Sequence, residues 1–222
     1  MDKLTAELVA AVASAAVQAT LVAAGAPKTP TTPRPSVKMP STPKPIKHAL
    51  AVDRDQLAIC VHEAAHAVSG TVLGAELRNA VVGELRDGLK GQTFFYDRPS
   101  GTDPQISYAG PYGEGKFLSG GRRPTQREFY NILGNRGCRD RKVLVAAGGI
   151  HTGADVELIV DRCWSSVLSL AGQLHRTGEV VREDVLRALG VDTSRPAASQ
   201  LANIRAGMQP VPPFNPKTPA PA

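Results

Sequence analysis

The stretch from Asp53 to Gly74, DRDQLAICVHEAAHAVSGTVLG, decides the reading of this chain. Asp53 with Gln56 three residues later forms a capping pair, and Gly74 supplies a stop. Leu57, Ile59, Val61, Ala65, Val68 and Val72 provide an apolar face between them. No proline interrupts the run, so the spacing predicts one helix over 53–74. Inside it stands His62-Glu63-Ala64-Ala65-His66. Residues four apart share a helix face, so both imidazoles can aim a ring nitrogen at one Zn²⁺. Glu63, one residue along, is rotated off the metal and faces its open position, where a general base belongs. The competing reading is a helix whose two histidines are partly exposed or hydrogen-bonded within the core. With only 5 histidines in 222 residues, that spacing is rare by chance.

Working outward, proline marks the limits of the folded unit. Seven of the 18 prolines lie in 27–45 and seven in 196–221. Four segments are expected: an alanine-rich helix over 1–26, a basic proline-rich linker over 27–49, a folded domain over 50–192 and a proline-rich disordered tail over 193–222. The tail has room for a short helix near 197–206. A domain of this size can bury a substantial core. The formal net charge of +6 belongs to the tails, because 50–192 carries 17 Lys/Arg against 18 Asp/Glu. A basic tether of this kind is usually a solvated tail, so no specific nucleic-acid partner is expected.

Three cysteines (Cys60, Cys138 and Cys163) form no C-x-x-C pair, which favours a reducing compartment. Segment 4–26 is mostly alanine and valine with Glu7 and Gln18 inside it. It reads as an amphipathic helix for self-association or partner docking, in preference to a membrane anchor or a signal peptide. Membrane contact is not favoured, and a cytoplasmic location is expected.

After the motif helix the period changes. Ala80, Val81, Val82 and Leu85, then Thr93, Phe94, Phe95 and Tyr96, predict a β-hairpin over 77–96 with its turn at Asp87-Gly88 and added flexibility at Gly91. An exposed edge of such a hairpin can hold a peptide backbone by strand addition, or the strand can simply pack on the motif helix. Gly110-x-x-x-x-Gly115-Lys116 imitates a phosphate-binding loop but continues with Phe117 where Ser or Thr is required. A short helix beginning near Pro111 is the better reading. Further helices are predicted over 139–148, over 154–175 with its start at Thr152 and stop at Gly178, and over 182–189. The fold class is therefore mainly α with a small β-hairpin or sheet (α+β), a zincin-like motif helix packed in a helical domain.

A catalytic zinc needs a third protein ligand. The residues after His66, AVSGTVLGAEL, exclude the H-E-x-x-H-x-x-G-x-x-H extension. His151 and His175 are available, as are Asp140, Asp155 and Glu157 near helix starts. Acids in a first turn also favour the helix dipole without binding anything.

The H-E-A-x-H helix, the strands around KGQT (90–93), the A-G-x-x-x-E segment (109–114) and a later Gly-x-x-Asp helix start together resemble the peptidase domain of FtsH-type proteases. They are closer still to its small stand-alone relatives in actinobacterial and phage genomes. The resemblance covers roughly 55–190 and is specific at His62, Glu63 and His66. It implies that the third ligand is an aspartate opening a helix. Thr152-Gly153-Ala154-Asp155 matches the family's letters best, while Gly137-Cys138-Arg139-Asp140 matches the order of segments better, so Asp140 is preferred and Asp155 is the alternative. The complete proteases carry an ATPase module, and nothing in this sequence reads as one.

The expected activity is thus ATP-independent hydrolysis of a protein or peptide substrate by a zinc metallopeptidase. Zn²⁺ would sit on His62, His66 and Asp140, with Glu63 as the catalytic base. The rival expectation is an inactive zinc-binding scaffold that acts through its tails.

Overall fold

The computed structural model describes residues 47–85 and 88–214. The helix expected in 4–26, most of the 27–49 linker and the last eight residues of the tail lie outside the described residues.

Helix α1 spans Lys47–Leu73, 27 residues, or about 40 Å at 1.5 Å per residue. It begins two turns earlier than the capping pair suggests, and Asp53 lies inside it. The residues upstream, KHALAV, are largely good helix formers and simply extend it. Every residue from Cys60 to Leu73 is buried. The helix is therefore a central post rather than one with a single apolar face, and its alanines and Gly70 let neighbours close in on all sides. An added Cβ at Gly70 would lie 2.5 Å from the Phe95 ring. The helix ends where Gly74 takes φ +98°, a conformation that suits glycine at a helix C-terminus.

Two strands follow, β1 (Glu76–Leu85) and β2 (Gly88–Asp97), antiparallel, with Leu85 opposite Gly88. Gly88, expected in the turn, is thus the first residue of β2. Leu77 pairs with Phe95 and Asn79 with Phe94, leaving Arg78 as a bulge. That extra residue shifts the alternation, so Leu77, Ala80 and Val82 are all buried despite the odd spacing between the first two. A third strand, β3 (Glu179–Val181), pairs antiparallel with β1 and gives the sheet order β2-β1-β3. Three residues were too few for a periodic signal.

Helix α2 spans Asp103–Leu118, with Pro104 in its first turn and Pro111 in its interior. The expected short helix at Pro111 is in fact sixteen residues long. Its glycines explain how packing outweighs poor propensity. An added Cβ at Gly113 would lie 2.7 Å from the Ala65 Cβ, and one at Gly110 would overlap the His66 ring. Only glycine lets α2 lie this close to the motif face of α1. The phosphate-loop imitation at Gly110–Lys116 is therefore helix, not loop.

Helices α3 (Gln126–Gly134) and α4 (Cys138–Ala146) follow. Thr125 and Glu128 form a reciprocal capping box on α3. The single helix expected over 154–175 is three pieces: a 3₁₀ turn (Ala154–Val156), α5 (Glu157–Arg162) and α6 (Trp164–Thr177). The break at Cys163 lets α5 pack on α2 while α6 runs along α1. Both pieces bury one face, so the apolar period runs on through the break. The start is set by Gly153 at φ +99° rather than by a Thr152 cap.

Helix α7 (Arg182–Ala188) completes the expected set. Helix α8 (Ala197–Ala206) occupies the segment anticipated in the tail, but Leu201 and Ile204 are buried, and it packs on α1. The packed unit therefore extends beyond 192. Among the described residues no helix is long and apolar enough to cross a membrane.

Candidate metal centre

Three elements converge on one point. His62 and His66 come from α1, one turn apart, with ring centroids 4.7 Å from each other. Asp140 comes from the first turn of α4. Its Oδ2 lies 3.2 Å from His62 Nε2, and its Oδ1 lies 3.5 Å from His66 Nε2. Among the described residues, these are the three whose ligand atoms lie within 4.8 Å of one another. Local packing explains the placement. Gly137 lies so close to Pro111 that an added Cβ would stand 3.1 Å from the proline ring, which seats the start of α4 against α2. Leu144, one turn beyond Asp140, is fully buried and turns that face of α4 inward.

The remaining imidazole nitrogens are engaged. His66 Nδ1–H donates to the Ile106 carbonyl at 2.7 Å, and His62 Nδ1–H donates to Glu114 Oε2 at 2.9 Å. Glu114 is 2% exposed, and its other oxygen accepts from Arg136 Nη1 at 2.9 Å. Arg136 also reaches Asp55 on α1. These partners fix both rings so that each Nε2 faces the Asp140 carboxylate.

With Nδ1 as the donor on each ring, a neutral imidazole presents a lone pair at Nε2. Two such lone pairs and a carboxylate then converge, an arrangement that needs a cation between them. A tetrahedral zinc with ligands at roughly 2.0–2.1 Å separates them by about 3.4 Å, close to the distances seen. The donor set therefore fits zinc. Without metal a proton takes that role. Burial pushes His62 down, but hydrogen bonds to Asp140 and Glu114 outweigh it and hold the imidazole at about 10. Burial likewise opposes the ionised form of Asp140, yet the two histidines hold its carboxyl well below the usual carboxylate range.

Glu63 lies beside this cluster and is buried. Its Oε2 accepts from Thr93 Oγ1 at 2.7 Å, and its side chain fills the space in front of Gly91 on β2. Gly91 therefore supplies room rather than the turn flexibility anticipated for it. A cleft of about 700 Å³ opens in front of the group, lined by α1, the β1–β2 ribbon and the α3–α4 junction.

The other ligand candidates lie elsewhere. Asp155 accepts from Gln105 at 3.0 Å on the surface. Glu157 accepts from Tyr108 and pairs with Arg123, and His151 stands 3.5 Å from the Tyr130 hydroxyl. His175 is on α6, outside the cluster. Cys60 and Cys163 are buried, and burial pushes each thiol up to about 12; Cys138 is exposed at the start of α4. Sequence reasoning assigned no role to Glu114, Arg136, Thr93 or the Ile106 carbonyl. One signal was present: Gly110, Gly113 and Glu114 share a helix face, a smooth strip with one acid on it.

Comparison with protein-family models, curated proteins and solved structures finds no match to this chain.

Proposed function

We propose that this chain is a zinc metallopeptidase of the FtsH-like kind, hydrolysing peptide bonds in a protein or peptide substrate without ATP. The observation that supports this most is the convergence of His62 Nε2, His66 Nε2 and the Asp140 carboxylate while both Nδ1 atoms are held by acceptors. Zinc bound to those three residues would polarise the scissile carbonyl and bring the pKa of a water down to roughly 7.

The chain's own residues supply the rest. His62 and His66 are held in one tautomer, so neither ring must turn as the site loads. Glu63, kept in place by Thr93 and Gly91, takes the proton from the attacking water and returns it to the leaving amine nitrogen. The buried setting of Glu63 limits competing water. Extended peptide lying along β2 would bring a carbonyl past Glu63, by the same backbone pairing that joins β2 to β1.

Glu63→Gln is the direct test. It preserves size and the Thr93 contact while removing the base. The expected result is full zinc occupancy with peptide hydrolysis reduced at least 100-fold. Hydrolysis at the wild-type rate by that variant would overturn the proposed role.

A further inference from the structure

The folded domain is close to neutral, but the cleft is not. Its wall carries Lys90, Arg136 and Arg139 against two acids, Glu63 and Glu114. Glu114 is paired with His62 and Arg136, Arg136 also reaches Asp55, and Glu63 accepts from the Thr93 hydroxyl. Asp140 is committed to the histidines. The segment Asn135–Lys142, NRGCRDRK, adds Arg141 and Lys142 to Arg136 and Arg139, with Asp140 as its one acid. Arg139 is exposed and lines the cleft from the α4 side; among the described residues no acid pairs with it. Lys90 is exposed on the facing β2 wall, next to the Gly91 that abuts Glu63.

A peptide threaded between β2 and α4 would pass Arg139 on the α4 side. A carboxylate side chain there would gain a partner in Arg139, whose planar fork suits carboxylates. A lysine or arginine side chain would meet like charge there.

We propose that the cleft selects peptides carrying an aspartate or glutamate next to the scissile bond, with Arg139 as the specificity-determining residue. This rests on the peptidase reading above and names its substrate class.

The test compares quenched fluorescent peptides identical except for Asp, Asn or Lys beside the cut, using zinc-loaded full-length protein. The expected kcat/KM for the Asp peptide exceeds that for Asn by about three- to tenfold and that for Lys by more, with the ratio shrinking as salt is added. Arg139→Glu should abolish or invert the Asp/Asn ratio, and Arg139→Lys should retain most of it. The ratio is internal to each variant, so a general loss of activity does not mimic the effect. Equal rates for Asp and Asn, or a ratio unchanged in Arg139→Glu, would overturn the selection while leaving the peptidase reading intact.

If no peptide is cut, the peptidase reading fails. The selection is then read from binding of the same peptides to zinc-loaded Glu63→Gln protein: tighter Asp binding sustains it, and equal affinity overturns it. A single-stranded oligonucleotide that binds the cleft more tightly than the Asp peptide would also overturn it, pointing to a different polyanion.

Discussion

Asp140 Oδ2 stands 3.2 Å from His62 Nε2 across 78 residues of chain. That pair joins the first turn of α4 to the middle of α1 and turns two histidines on a helix into a three-point site. The approach depends on features that are each poor for isolated helices: Pro111 inside α2, Gly110 and Gly113 facing α1, and Gly137 at the mouth of α4. Together they remove the bulk that would keep the acid from the histidines.

Glu114 should matter to metal affinity although it does not reach the proposed ion. It is buried, and it holds the His62 ring through Nδ1. Replacing it with glutamine keeps the volume but weakens that acceptor. The expected outcome is a 10- to 100-fold loss in zinc affinity, measured by competition with a chromogenic chelator. Unchanged affinity would mean that the Glu114 contact does not tune the site.

Gly110→Ala should disturb the same centre by crowding. The new methyl group would overlap the His66 ring, so α2 must retreat or the imidazole must turn. A stability loss of about 1–3 kcal/mol is expected, as for other overpacked cores, together with weaker zinc binding. Gly134→Ala is the control, since an added Cβ there meets nothing within 4 Å. Thermal melts of the two variants, with and without zinc, separate the effects; equal behaviour would contradict the close approach of α2.

Above neutrality, zinc binding and metal-free stability should respond oppositely to pH. In metal-free protein the folded state holds His62 at about 10, above its ordinary 6.5. Its contribution is fully present below about 6.5 and is lost as pH rises toward 10. Asp140 is held below its ordinary 3.8, so its contribution is present above that value and is lost in acid. Metal must displace the His62 proton, so zinc affinity should rise roughly tenfold per pH unit between neutrality and pH 9. Chelator-treated melts and proton release on zinc addition check both slopes. Zinc affinity independent of pH would contradict the pairing.

The motif helix was legible because its chemistry is local: four residues set the face, and Gly74 closed it. The hairpin was legible from its β-branched and aromatic run, although the bulge at Arg78, which decides which side chains point inward, left no mark. Asp140 could be preferred over Asp155 only through the order of segments, because both are acids in a first turn.

What escaped depended on contacts between distant segments. Pro111 and three glycines look like helix breakers until α1 is laid beside them. Glu114 looks like a solvated acid until His62 and Arg136 are found around it. Leu201 and Ile204 sit in a proline-rich stretch that reads as tail, yet they help cover α1. The break at Cys163 was hidden because α5 and α6 each bury an apolar face in unbroken period.

Zinc content of the purified chain beside Asp140→Ala and Asp155→Ala, after dialysis against a weak chelator, tests the central claim most directly. The account predicts about one zinc per chain in the wild type and in Asp155→Ala, and little in Asp140→Ala. Equal zinc in all three proteins, or loss only in Asp155→Ala, would contradict it.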